Sequence, residues 1–354
     1  MKKAIKNLFL ATLCCTACAG FTGCSDDDPI NNDDNKGPVV TPPVELSDVT
    51  AEAYYKGDVY GNETGNLWVN FTEGLTYDAE TDDYTGEGYI LCLDFNTVLA
   101  SNPDYATIAD GEYTGSQDNE THAAYTLNLC DEESYLTEYT ASGANTVFFT
   151  NATVNIKKTD NLYQIDASLT TESGDKKEYS YNVRIPVINI SGEGMQSNMT
   201  SDATLNGLTQ GIAIYYGETF TETSDLYTVI LAGDDYNLET NYGNSPAIML
   251  ALNVTPGSSE SIPDGTYTVI DAATADDYET GTVLSGVYEP TLGGLFGSWY
   301  FSTLEGLQAS MMSGTVTVTN NGGKKYTFVY DLADGYGHKV TGTYSGSMSW
   351  ASVE

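Results

Sequence analysis

Ile108-Ala-Asp-Gly-Glu-Tyr-Thr114 and Ile262-Pro-Asp-Gly-Thr-Tyr-Thr268 are one phrase written twice in this chain. Each is an apolar residue, an Asp-Gly turn and the alternating start of a β-strand, the short-range signal for a chain that reverses and enters a sheet. The same succession of strand-like segments flanks both phrases, so the second half reads as a diverged duplicate of the first.

Upstream of the first phrase stand Ala53-Tyr-Tyr55, Leu67-Trp-Val-Asn-Phe71 and Tyr89-Ile-Leu-Cys-Leu-Asp-Phe95. In the second of these, Leu67, Val69 and Phe71 share one face and Trp68 and Asn70 the other, because side chains alternate along a strand. Downstream, Tyr163, Ile165, Ala167 and Leu169 alternate with Gln164, Asp166 and Ser168, the pattern of a half-buried antiparallel strand. In the second half Ile214-Tyr-Tyr216 matches Ala53-Tyr-Tyr55, and Leu226 to Leu231 matches Leu67 to Phe71. Ala247 to Leu252 takes the place of the Tyr89 strand, and Trp299-Tyr-Phe301 that of Val147-Phe-Phe149. The run Gly314 to Thr319, then Asn320-Asn-Gly-Gly323, then Tyr326 to Tyr330 spells a hairpin.

Helical periodicity is scarce, and the segments number about seven or eight per half. The expected fold is all-β: two homologous antiparallel β-sandwich domains, with a calycin-like β-barrel as the alternative. The divisions expected are a leader at 1–23, a tether at 24–46, β-domains at 47–190 and 202–354, and a joint at 191–201.

The amino terminus reads as an address. Lys2, Lys3 and Lys6 precede the apolar run Leu8 to Leu13, too short to span a bilayer and fit for a secretory leader. It ends in Phe21-Thr22-Gly23-Cys24, which resembles a bacterial lipoprotein box, with Phe21 standing where Leu is commoner. Ser25-Asp26-Asp27-Asp28 follows and resembles the surface-export signal of outer-membrane lipoproteins of the Bacteroides group. That resemblance covers about the first 28 residues and implies acylation at Cys24, a lipid anchor in the outer membrane and exposure at the cell surface. In outline the β-domains also look like those of other surface lipoproteins of this group.

Composition excludes some partners. Acidic residues outnumber basic ones 50 to 13, for a net charge of −37. Removing the leader, which holds three lysines and no acids, moves this to −40. Such a surface repels nucleic acid and anionic lipid headgroups.

Candidate chemistry is sparse. Cys92 and Cys130 lie near strands in one half, and form either a disulfide in an oxidising compartment or two buried thiols. His122 and His338 are the two histidines; they fall beside turn residues in different halves and are expected to be exposed loop residues. No His/Cys spacing suits zinc, so no metal ligand is assigned, and the Asp doublets leave a structural calcium conceivable at most. No cofactor is implied and no catalytic residue is named. The remaining candidates are aromatic: Trp68, Tyr77, Tyr84 and Tyr89 in the first half and Tyr227, Tyr236, Tyr242 and Trp299 in the second, on strands or beside long loops, where ring faces can stack on sugars. Of these, Trp68, Tyr84, Tyr227 and Trp299 are the ligand-binding residues expected. For Trp68 the alternatives are an exposed platform or cover by a loop. The function expected is non-enzymatic binding of an extracellular ligand, glycan first. A structural adhesin engaging surface proteins and a glycoside hydrolase are the alternatives.

Overall fold

The computed structural model describes residues 46–352, apart from 79–82, 119, 131, 160–161, 239–241, 244, 275–277, 290–293 and 303–305. The leader, Cys24 and the tether up to residue 45 lie outside the described residues. Among the described residues the chain is all strand, turn and one 3-10 turn at Pro103–Tyr105, and no helix is long and apolar enough to cross a membrane.

The first sheet is built from β1 (Thr50–Gly57), β2 (Thr64–Asp78), β3 (Asp83–Val98), β4 (Gly111–Ser116), β5 (Thr126–Asn128), β6 (Tyr135–Thr140), β7 (Gly143–Thr159), β8 (Leu162–Thr171), β9 (Lys176–Arg184) and β10 (Val187–Asn189). Its order is β10-β1-β2-β3-β5-β4-β7-β8-β9, with β6 filling the gap between β3 and β7. After β9 the chain steps through Ile185-Pro186 and lays β10 parallel to β1, while Ser47 N–H donates to Asn182 O at 2.9 Å. The segment before β1 thereby touches β9, and the sheet curls towards closure as in a β-barrel.

The second half holds β11 (Ala203–Leu205), β12 (Gln210–Gly217), β13 (Asp225–Ala232), β14 (Tyr236–Asn237), β15 (Tyr242–Gly243), β16 (Ala247–Val254), β17 (Gly265–Ile270), β18 (Thr282–Leu284), β19 (Val287–Glu289), β20 (Gly294–Phe296), β21 (Trp299–Ser302), β22 (Leu307–Ser310), β23 (Ser313–Gly322), β24 (Lys325–Ala333), β25 (Lys339–Ser347) and β26 (Ser349–Ser352). The small hairpins β14–β15 and β19–β20 stand apart as two-stranded sheets, and the other twelve strands form the second sheet. Its order is β11-β25-β24-β23-β17-β18-β16-β13-β12-β26, so β26 closes on β12 as β10 closes on β1.

The pairing registers superpose the halves residue by residue. Tyr55↔Leu67 then Gly57↔Asn66 matches Tyr215↔Tyr227 then Gly217↔Leu226. Each is a bulge, closed by a glycine with φ of 75° or 65°, a conformation that only glycine adopts without strain. The repeated phrase does one job in both halves. Ile108 and Ile262 are fully buried, and the Tyr113 and Tyr267 hydroxyls fold back to Ala109 O at 3.0 Å and Pro263 O at 2.9 Å. Asp110 Oδ1 receives Lys158 N–H at 2.8 Å, and Asp264 Oδ1 receives Asn320 N–H in the same place.

Two expected correspondences are corrected. Tyr55 aligns with Tyr215, one residue out from the match read in sequence: the bulge glycines Gly57 and Gly217 coincide, which sets Tyr54 against Ile214 and Lys56 against Tyr216. Trp299-Tyr-Phe301 pairs with Met249 to Ala247, as Tyr135-Leu-Thr137 pairs with Cys92 to Ile90; it is the counterpart of Tyr135 to Thr137, not of Val147 to Phe149.

The odd-numbered residues of β1 to β3 fill the first barrel, with Tyr55, Leu67, Val69, Phe71, Leu91, Leu93 and Phe95 in one cluster. A second cluster fills the second barrel. Between them Asp104, on the 3-10 turn and only 6% exposed, accepts from Asn189 Nδ2 (2.6 Å), Met195 N (2.6 Å), Gln196 N (3.1 Å) and Tyr336 Oη (2.8 Å). One carboxylate thus joins the first barrel, the joint and the β24–β25 turn of the second.

Candidate functional site: the tyrosine rim of the first barrel

At one end of the first barrel, β2, β3, β6 and β9 present Glu73, Tyr89, Glu138, and Lys177 with Tyr179 and Tyr181. Registers Glu73↔Tyr89 and Tyr89↔Glu138 put the first three in one row across the sheet. Strand alternation aims that row inward, where Phe71 and Leu91 form the layer beneath. From β9, Tyr181 lies on Phe71 with ring centroids 5.0 Å apart, and Tyr179 stacks on Tyr181 at 5.8 Å and leans on Tyr89 at 5.4 Å. The Tyr89 hydroxyl meets Tyr181 Oη at 2.8 Å and donates to Glu73 Oε2 at 2.7 Å. Lys177 Nζ reaches Glu138 Oε1 at 2.8 Å.

These groups are half-wet. Glu73 is exposed, Tyr89, Tyr179, Glu138 and Lys177 are half-buried, and Tyr181 is buried. Burial pushes the Tyr179 hydroxyl up to about 12, with Glu138 and Glu73 adding to the rise. Tyr89 and Tyr181 rise for the same first reason. All three are neutral phenols that donate and accept. The rim therefore offers ring faces, hydroxyls and carboxylates together, the groups that pack on sugar rings and hold their hydroxyls.

The second barrel keeps only the buried member of this set, Tyr344, which pairs with Phe328 as Tyr181 pairs with Ile165. By register its equivalents of Glu73, Tyr89, Glu138, Lys177 and Tyr179 are Gly233, Pro246, Ser302, Val340 and Gly342. Across the last strand pair the bulk changes sides: Ala167 faces Tyr179 in the first barrel, and Tyr330 faces Gly342 in the second. A Cβ on Gly342 would lie 2.4 Å from Tyr330 Oη and 2.7 Å from Leu205 O. That space is taken because the chain entering the second barrel lies across its end. β11 pairs with β25, and Met199, Leu205 and Leu208 belong to the core there. Among the described residues β8 is the one strand that pairs with β9 at Lys177–Tyr179, and no strand lies on the other edge there.

The aromatic residues read from sequence are dispersed. Trp299 and Tyr227 are fully buried; Trp299 Nε1 donates to Phe296 O and Tyr227 Oη to Ser258 O, both at 2.7 Å. Both are core residues with covered rings, which corrects their reading as ligand-binding. Trp68 is half-buried on the outer wall, under Lys56 Nζ at 5.3 Å from its ring centre. Tyr84 is half-buried on the β2–β3 hairpin beside Tyr139, at 6.0 Å. The structure does not bring these four together. Of the rim, Tyr89 is among the aromatic candidates, but Tyr179 and Tyr181 read as ordinary strand residues, and only pairing across the barrel joins the three.

Cys92 and Cys130 are buried thiols and form no disulfide with each other. Their surroundings differ: Cys92 Sγ points at Glu133 O (3.7 Å) and Cys130 Sγ at Ser116 O (3.9 Å). His122 is buried rather than exposed, stacked on Tyr60 at 3.5 Å, because the loops carrying the two rings close on each other. His338 and Ser197 share one carboxylate: His338 Nδ1 lies 3.0 Å from Asp334 Oδ2, and Ser197 Oγ donates to that oxygen at 2.6 Å. A nucleophile relay needs the serine on the imidazole, and here the serine is spent on the acid. Among the described residues no three of His, Cys, Asp and Glu gather where they could hold a metal ion.

The chain matches no protein-family model, no curated protein and no solved structure.

Proposed function

We propose that this chain is a surface-exposed outer-membrane lipoprotein, anchored through Cys24, that binds extracellular glycan at the tyrosine rim of its first barrel. The observation that carries the reading is the asymmetry between the two barrel ends. One end is roofed by the chain's own apolar residues; the other, among the described residues, keeps Tyr89, Tyr179, two carboxylates and a lysine at the solvent boundary over the buried Tyr181. Leaving such groups half-wet adds little to a core, and it suits a ligand that is itself part ring face and part hydroxyl. The net charge of −37 favours neutral glycan over anionic polymers. The role is one of binding, not catalysis.

Retention on a panel of neutral polysaccharides tests it. The chain is expected to bind at least one of them, and Tyr179→Ala and Tyr89→Ala to weaken that binding at least tenfold with little change in Tm. Unaltered binding in both variants, or none by the parent chain, refutes it. Membrane partitioning that is lost in Cys24→Ala tests the anchor.

Among the described residues the outer edge of β9 at Lys177–Tyr179 carries no strand, which favours a second reading, in which a partner protein adds one there. Copurification of one stoichiometric partner, lost with a proline at Glu178, would decide for it.

A further inference from the structure

A second polar assembly lies on the outer wall of the first barrel, away from the rim. Even-numbered residues of β1, β2 and β3 face outward, and the registers set them in rows. One row is Glu52, Asn70, Cys92 and Tyr135; the next is Tyr54, Trp68 and Asp94, with Asn128 of β5 continuing it. Asn66 sits one step further along β2, beneath Lys56. In the second barrel the same rows read Ile212, Ile230, Met249 and Trp299, then Ile214, Thr228, Ala251 and Leu284, with Leu226 for Asn66. Hydrocarbon fills that wall, where Leu226, Ala251 and Leu284 form a cluster of their own.

The fold does not require the polar set. What it does require is present in both halves: Asn96 Nδ2 donates to Thr126 Oγ1 at 3.0 Å, as Asn253 does to Thr282 at 2.8 Å. Ser134 Oγ receives Asp94 N–H, and Ser298 Oγ receives Ala251 N–H, both at 3.0 Å. Asp94, fully buried, is held by Asn66 Nδ2 at 2.6 Å and Asn128 Nδ2 at 3.3 Å. This network is incomplete. Asn66, 1% exposed, spends its Nδ2 on Asp94 and Asn96, and its Oδ1 meets no donor. Asn70 Oδ1 likewise has no donor, and the Trp68 indole N–H finds no oxygen or nitrogen acceptor, with only the weakly accepting Cys92 sulfur beside it. Two acceptors are left without donors, and the indole N–H of the residue between them has only sulfur. Each such buried group costs on the order of 1–3 kcal/mol if nothing answers it.

We infer that this wall is a second binding site, independent of the rim, for one neutral sugar unit or a similar small polyol. Hydroxyls are the groups that both donate to two amide oxygens and accept from an indole N–H. The half-exposed Trp68 ring supplies a face for the carbon skeleton, and the mixed charges of Glu52, Asp94 and Lys56 select against a strongly charged guest. Access runs between Tyr54, Lys56, Trp68 and Asn70, half-exposed side chains that rotamer changes move without shifting backbone.

Saturation-transfer NMR of the full chain with glucose, galactose and N-acetylglucosamine tests this. The forms compared are the parent, Tyr179→Ala, Trp68→Phe, and a triple graft of second-barrel residues, Asn66→Leu with Asp94→Ala and Asn128→Leu. At least one sugar is expected to bind the parent and Tyr179→Ala alike, at least threefold more weakly to Trp68→Phe and tenfold more weakly to the graft, whose Tm does not fall. No binding of any of the three sugars by the parent would leave buried water as the answer to those atoms and overturn the proposal. Undiminished binding by Trp68→Phe would also overturn it, whether or not the graft folds.

Discussion

The two barrels share a plan down to a bulge, a back-folded tyrosine and a capping aspartate, yet they differ at two surfaces. The second barrel is closed with hydrocarbon: its end is roofed by Met199, Leu205 and Leu208, and its wall is lined by Leu226, Ala251 and Leu284. The first keeps tyrosines and carboxylates at the end and buried amides and acids on the wall. Since one copy folds without these groups, stability is not the reason the other has them. The comparison separates side chains that make the fold from side chains added to it.

Four perturbations probe that separation, from the largest effect down. Trp299→Ala should destabilise by about 3–5 kcal/mol, as expected for emptying a buried aromatic site. Its half-buried counterpart Tyr135→Ala should cost about half as much, and equal losses in denaturant titrations would dissolve the distinction between the walls. Asp104→Ala strands four donors at the junction and should cost roughly 2–4 kcal/mol. Small-angle scattering should then report a broader range of inter-barrel distances, since the two halves lose their shared carboxylate.

The third is a pH dependence confined to the first barrel. Burial pushes Glu52 up to about 7 and Asp94 up to about 6, while nearby hydrogen bonds and Lys56 pull the other way. A carboxyl whose folded pKa is raised binds its proton more tightly folded than unfolded. Its favourable share is therefore complete below the ordinary carboxylate range and is lost as pH rises towards 7. Between pH 5 and pH 8 the parent should lose about 2–3 kcal/mol relative to Glu52→Gln. The second barrel, with Ile212 and Ala251 at these positions, contributes nothing to that difference. Parallel pH profiles for the two proteins would contradict it. The smallest effect is a matched pair: Tyr113→Phe and Tyr267→Phe should each cost about 1 kcal/mol. The first should cost slightly more, because Tyr113 Oη also meets Thr97 Oγ1 at 2.9 Å.

Much of this plan was legible in the sequence. The repeated Asp-Gly phrase located the duplication, alternation in β2 and β8 marked the inward residues, and the Asn-Gly-Gly hairpin stands where it was read. What escaped depends on pairing. Period-2 patterns tell which residues share a face but not which strands are neighbours, so the closing strands β10 and β26 had no signature. Tyr54-Tyr55 and Tyr215-Tyr216 look superposable until the shared bulge glycines, Gly57 and Gly217, fix the alignment one residue over. Trp299 reads as a binding aromatic when its row is unknown; beside Met249 and Ile230 it is wall packing. The rim and the polar wall are assembled from residues tens of positions apart, each ordinary alone.

The central claim is that the polar wall of the first barrel serves something other than folding. Calorimetry of two opposite grafts tests it most directly. Asn66→Leu with Asp94→Ala and Asn128→Leu should raise or preserve the Tm, as replacing a buried polar set by well-packed hydrocarbon often stabilises, by about 1–4 kcal/mol. Leu226→Asn with Ala251→Asp and Leu284→Asn should lower it by several degrees. A fall of similar size in both grafts would contradict the claim, because each barrel would then need its own wall to fold.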